Sequence, residues 1–195
     1  MAVKEETPKL TPRQREGRAI NAVAELLRHR LSVPNIYIEP PKSVISADIL
    51  AVDRGGAGDL HAVELKLAEG TSFRENQNDS SSGAKGLFAA ATRKRLWQEK
   101  LKTLHHQLMA MPAHFRYLAV PEESFNDFAA AFDQIGLFSE DGIGRLGIIT
   151  VMQKGNQTPS AAVAVTPERF RVDGAKVRRI EVKLLAISPD IQVRI

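Results

Sequence analysis

The spacing of apolar residues along the chain alternates between helical and extended patterns. Ile20, Val23, Ala24, Leu27 and Leu31 recur at intervals of three and four, which predicts an amphipathic helix from Thr11 to about Leu31. Thr11-Pro12 suits its start, a hydroxyl cap followed by a proline whose missing N–H costs nothing there. Asn35–Glu39 reads as a short strand closed by Pro40-Pro41. Ser46–Asp53 and Asp59–Leu67 read as two more. The first holds the run Ile49, Leu50, Ala51 and Val52, the second Leu60, Ala62, Val63, Leu65 and Leu67. Arg54-Gly55-Gly56-Ala57-Gly58 between them is a strong turn signal, so the pair is expected to be an antiparallel hairpin.

Ala68–Gly86 is polar and long for a connection within a compact domain, the length at which loops become functional or lose order. A flap over substrate and simple disorder both fit it. A second helix is expected from Leu87 to Met111, with Trp97, Leu101, Leu104, Leu108 and Met111 on one face and Pro112 as its stop. His114–Val120 reads as a strand, and Ser124 as the cap of a helix reaching Ile135. Gly147–Met152 reads as another strand. Ala161–Val165, Arg169–Val172 and Lys176–Ile187 read as a terminal β region with Asp173-Gly174 as a hairpin turn. The expected architecture is α/β, a mixed central β-sheet flanked by helices with a C-terminal β extension. One domain is expected over 1–195: a loose N-terminus (1–10), a core (11–120), and an additional helix, strand and β-hairpin (121–195).

The hairpin carries the candidate chemistry. With the turn centred on Gly56, residue i pairs with residue 112 minus i, and Asp48 falls opposite Glu64. Directly opposed side chains have Cβ atoms about 4.5–5.5 Å apart, a separation that lets two carboxylates share one cation. Side chains alternate across a strand, so Glu64 and Lys66 share a face. Val63, Leu65 and Leu67 then point the other way, into a helix layer, and His61 faces away from Glu64. Hard cations such as Mg²⁺ take oxygen ligands and often use only one or two carboxylates. Asp48 and Glu64 supply these, with the Leu65 carbonyl as a third oxygen. Lys66 could orient a water, act as a base or stabilise developing negative charge. Most Glu-x-Lys tripeptides are plain solvent exposure; Asp48 in register is what sets this one apart.

Composition narrows the alternatives. The chain has 195 residues, 43% hydrophobic and 26% charged, as expected of a globular protein. It has no cysteine, which excludes a disulfide scaffold, a thiolate zinc site, an iron–sulfur cluster and a thiol nucleophile. No apolar run approaches a membrane span and the start lacks a secretory pattern, so a cytoplasmic protein without membrane partners is expected. The net charge of +4 hints mildly at polyanion binding. Basic residues group in the first helix, after the motif (Lys85, Arg93, Lys94, Arg95, Lys100, Lys102) and near the C-terminus (Arg169, Arg171, Lys176, Arg178, Arg179, Lys183). There is no Gly-rich phosphate loop and no Gly-x-Ser-x-Gly. A second Glu-x-Lys, Glu181-Val182-Lys183, lies downstream of Asp173. On extended chain eight residues would separate Asp173 from Glu181 by about 26 Å, too far to share an ion.

The order helix, strand, hairpin with Asp and Glu-x-Lys, helix, strand over Thr11–Val120 resembles the PD-(D/E)XK nuclease superfamily, whose fold is restriction-endonuclease-like. Ala47 stands where the family's proline would be. The resemblance implies a nuclease hydrolysing phosphodiester bonds, in DNA by expectation, with Asp48 and Glu64 binding Mg²⁺ (Mn²⁺ substituting) and Lys66 assisting hydrolysis. It implies accessory roles for Glu16, which extends the inward stripe of the first helix, and for Gln98 or Lys94 on the helix after the motif. Lys85, Arg93 and Arg95 are the candidates for contacting nucleic acid, and a homodimer is compatible with the family. The rival readings are a non-catalytic nucleic-acid-binding or assembly module with this fold, and a structural domain in which Asp48, Glu64 and Lys66 form only a salt-bridge network.

Overall fold

The computed structural model describes residues 11–53, 58–66, 99, 101–134, 145–154 and 157–192. Helix α1 spans Pro12–Arg30. Thr11 caps it reciprocally: the Gln14 N–H donates to the Thr11 hydroxyl, and the Gln14 side-chain oxygen accepts from the Thr11 N–H at 2.9 Å. Arg28, His29 and Arg30 occupy the last turn, where positive charge complements the helix dipole. Ala19, Ile20, Val23, Ala24, Leu26 and Leu27 form its buried stripe.

Among the described residues seven strands follow: β1 (Asn35–Ile38), β2 (Ile49–Val52), β3 (Leu60–Leu65), β4 (Phe115–Pro121), β5 (Gly147–Met152), β6 (Ser160–Val165) and β7 (Ile191–Gln192). They form one sheet in the order β6-β5-β4-β3-β2-β1-β7. The meander β1-β2-β3 is antiparallel, β3, β4 and β5 run parallel, and β6 and β7 are antiparallel edges. Parallel neighbours need a crossover. The β3–β4 connection contains a helix over 101–110, here α2, and the β4–β5 connection contains α3 (Phe125–Gln134), preceded by a 3-10 turn at Glu122–Ser124.

The sheet separates two cores. On one face α1 packs with Ile36, Ile49, Ala51, Val63, Leu65, Tyr117 and Ile149. On the other, Leu101, Leu104 and Leu108 of α2 and Phe128 of α3 meet Leu50, Val52, Leu60, Ala62, Leu118 and Ile148. Apolar cover on both faces is why β2 reads as the unbroken run Ile49–Val52. Val63 and Leu65 face the α1 layer, as their alternation predicts. The opposite face is also covered, so Glu64 lies at the rim of a second core and not on an open charged surface.

The expected C-terminal β extension is a helix. Gly174–Leu184 forms α4, and the segment 166–173 before it is not a strand. Asp173 is its N-cap, its side chain accepting from the Ala175 N–H, so Asp173-Gly174 opens a helix where a hairpin turn was expected. The β-branched Val177, Ile180 and Val182 suggest a strand, but Ile180 and Leu184 are buried one turn apart with Val177 packed beside them, the helical spacing. Extended structure returns only at β7, which pairs two residues with the start of β1.

Candidate functional site

The β2–β3 register is Ile49↔Val63, Leu50↔Ala62, Ala51↔His61 and Val52↔Leu60, each pair summing to 112 as the centred turn requires. Asp48 is the next residue on its strand. Its N–H donates to the Val63 carbonyl at 3.0 Å, one residue off that register, just before β2 begins. Its carboxylate Oδ2 then accepts the Leu65 N–H at 2.6 Å. A side-chain oxygen takes the place of a strand carbonyl, which fixes Asp48 beside the end of β3. Glu64 precedes Leu65, and its Oε1 accepts from Lys66 Nζ at 2.9 Å. The Lys66 N–H donates to the Ala119 carbonyl at 2.9 Å, so the lysine is anchored by the β3–β4 ladder as it leaves the sheet.

Asp48, Glu64 and Lys66 therefore all lie at one end of the sheet, where the parallel strands β3 and β4 finish. The side chains of Glu64 and Lys66 are 17% and 30% exposed, sheltered yet open to an approaching ligand. The donor set fits a hard divalent cation: among the described residues Asp48 and Glu64 each have a carboxylate oxygen beyond the two hydrogen bonds above, and the Leu65 peptide lies against Asp48. Among the described residues no third His, Asp or Glu joins them to make a larger metal-binding group. Two carboxylates suffice for Mg²⁺, which keeps several waters and takes substrate phosphate oxygens.

Glu16 does not belong to this cluster. It is exposed on the early turns of α1, because the buried stripe begins only at Ala19. Gln98, Lys94, Arg93, Arg95 and Lys85 lie outside the described residues, as does the 68–86 loop. His61 faces the α1 layer, as its alternation predicts. Its ring stacks on Phe115 at 4.6 Å between centroids, and Nδ1 lies 3.4 Å from the Tyr117 hydroxyl. Burial pushes this imidazole down to about 4 and the Tyr117 phenol upward.

A polar cluster absent from the sequence reading occupies the other end of β3, about 20 Å away for six residues of strand. Asp59 accepts from Arg169 Nη2 at 2.7 Å and from Nε at 3.2 Å. His114 Nδ1 accepts the Leu60 N–H at 3.0 Å and lies 3.5 Å from Asp59. The Arg169 hydrogen bond holds the Asp59 carboxyl below its ordinary range, with burial opposing; burial lowers His114. Arg116, 6% exposed, donates to the carbonyls of Ala113 and Met109 and lies 4.0 Å over the Phe170 ring. These contacts tie the C-terminal segment to the starts of β3 and β4. Asp59 and Arg169 are 110 residues apart, and no local pattern announces their pairing.

No protein-family model matches the chain, and neither does any curated protein. Among solved structures, a protein of unknown function from Silicibacter pomeroyi aligns with 91% of this chain and 86% of its own, at 15% identity and a TM-score of 0.44. Among the described residues no helix is long and apolar enough to cross a membrane.

Proposed function

We propose that the chain is a Mg²⁺-dependent nuclease of the PD-(D/E)XK type, hydrolysing phosphodiester bonds in DNA, with Asp48, Glu64 and Lys66 as its catalytic residues. One observation carries the reading. Asp48 is held on the N–H of Leu65, the neighbour of Glu64, and Lys66 is paired to Glu64 just past the end of β3. The order α1-β1-β2-β3-α2-β4, with an antiparallel meander joined in parallel to β4, supports it.

Asp48 and Glu64 would hold the cation, with the Leu65 carbonyl as a further oxygen. When bound, the ion supplies charge neutralisation at the phosphate and a more acidic water. Lys66, ion-paired as an ammonium, is suited to stabilise the charge that builds on the phosphate oxygens or to orient the attacking water. Asp48 has two duties: Oδ2 keeps its backbone hydrogen bond and leaves the second oxygen for ligation.

Purified protein with Mg²⁺ or Mn²⁺ should nick or degrade DNA, and chelation should stop it. Lys66→Ala should abolish cleavage while leaving the fold and DNA affinity intact. Asp48→Asn should also abolish it, since the amide oxygen can still accept from Leu65 but the ligand charge is gone. DNA binding without metal-dependent cleavage would favour a non-catalytic module and overturn the enzymatic reading.

A further inference from the structure

We infer that the basic flank of α4 docks the phosphate backbone of duplex DNA and delivers it toward the Asp48–Glu64–Lys66 cluster; for its substrate class the inference rests on the nuclease reading above. Helix geometry places Lys176, Arg179 and Lys183, at i, i+3 and i+7, in one stripe. The neighbouring side of the helix is committed to the core, with Ile180 and Leu184 only 3% and 1% exposed. Like charges three and four residues apart repel, so the stripe destabilises the helix that carries it. Its only acid, Glu181, lies on another flank, its Oε1 turned toward Gly58. Among the described residues none of Lys176, Arg178 and Arg179 forms an ion pair. A concentrated positive face without internal counter-charge is complementary to a polyanion.

Reach favours DNA at the candidate site. Seven residues of helix advance about 10 Å, close to three base-pair steps along one DNA strand. The stripe ends at Lys183, whose Nζ donates to the Ser43 carbonyl. Ser43 precedes Asp48 by five residues, so their Cα atoms are at most about 18 Å apart, well within one turn of duplex. A membrane surface fits less well. Helices that lie in an interface bury a broad apolar face, and here that face is in the core. Only Val182 and Leu185, 66% and 77% exposed, project outward.

The test is fluorescence anisotropy of a labelled 30-base-pair random-sequence duplex with the full chain in EDTA, across NaCl concentrations. The double variant Lys176→Gln/Arg179→Gln should lower the slope of log K against log salt by about two, one per lost phosphate contact, and weaken binding tens-fold at roughly 0.1 M salt. Arg13→Gln/Arg30→Gln, an equal charge loss on α1 across the sheet, should leave the slope unchanged. An unaltered slope in the α4 variant, an equal drop in the α1 control, or binding only to anionic lipid vesicles would each overturn the inference. Stripe-dependent binding without cleavage in Mg²⁺ would support it and sink the enzymatic reading instead. Cleavage with a normal α4-variant slope would do the reverse.

Discussion

Arg116 offers a quantitative check on what holds the sheet to its second helical layer. It points from β4 to the end of α2, where the last carbonyls of any helix lack intrahelical partners. Its Nη1 donates to the Met109 carbonyl at 2.6 Å and its Nε to the Ala113 carbonyl at 3.1 Å. The same guanidinium lies 4.0 Å over the Phe170 ring. Hydrogen bonds from a charged donor contribute about 1.5–3 kcal/mol each, and the ring contact adds about 0.5–2 kcal/mol. Against this stands the cost of burying the cation, visible in the downward shift that burial imposes on Arg116. Arg116→Met keeps the volume and removes the donors, so a net loss of about 3–4 kcal/mol is expected. Urea unfolding at pH 7, followed by far-ultraviolet circular dichroism, should show the midpoint fall by roughly 1.5–2 M for a slope near 2 kcal/mol/M. Arg116→Lys can satisfy one carbonyl and should lose about half as much. A methionine variant within about 1 kcal/mol of the parent would refute the reasoning, because surface substitutions alone cost that little.

Two further outcomes are expected. The unfolded chain binds a proton at His61 near its ordinary value of 6.5, whereas the folded imidazole is held down to about 4. Stability should therefore be full above pH 6.5 and fall as pH drops toward 4, the gap being worth about 3 kcal/mol. His61→Phe should flatten that slope in urea midpoints between pH 7 and 4.5, and parallel profiles would show that another group is responsible. At Gly147 an added Cβ would fall 2.6 Å from Tyr117 Cδ1 and 3.0 Å from Pro167 Cδ. Gly147→Ala should cost about 2 kcal/mol by overpacking and lower Tm by roughly 4–8 °C in a thermal scan, whereas a drop under about 2 °C would mean the ring can move aside.

The parts readable from sequence were those set by neighbours in the chain. The hairpin register followed from a glycine-rich turn between two apolar runs, and Thr11-Pro12 with the 20/23/24/27 stripe located α1. Local rules also misled. Asp173-Gly174 serves equally as a hairpin turn or as a helix cap, and only the burial of Ile180 with Leu184 decides between them. Glu16 looked inward because periodicity shows which way a residue points, not where the sheet beneath the helix ends. Arg116 over Phe170, and Asp59 with Arg169, depend on the C-terminal segment returning to the starts of β3 and β4. Such long-range polar contacts leave no periodic trace.

The hydrogen bond from the Leu65 N–H to Asp48 has one more consequence. A surface aspartate ordinarily samples several rotamers and must be immobilised when a ligand arrives, at about 0.5–1.5 kcal/mol for a flexible side chain. Asp48 loses that freedom as the hairpin closes, so the folded chain presents one oxygen already aimed. On the proposed metal-binding reading, preorganisation of this kind raises affinity without any new contact, and it ties the readiness of the candidate site to the pairing of β2 with β3.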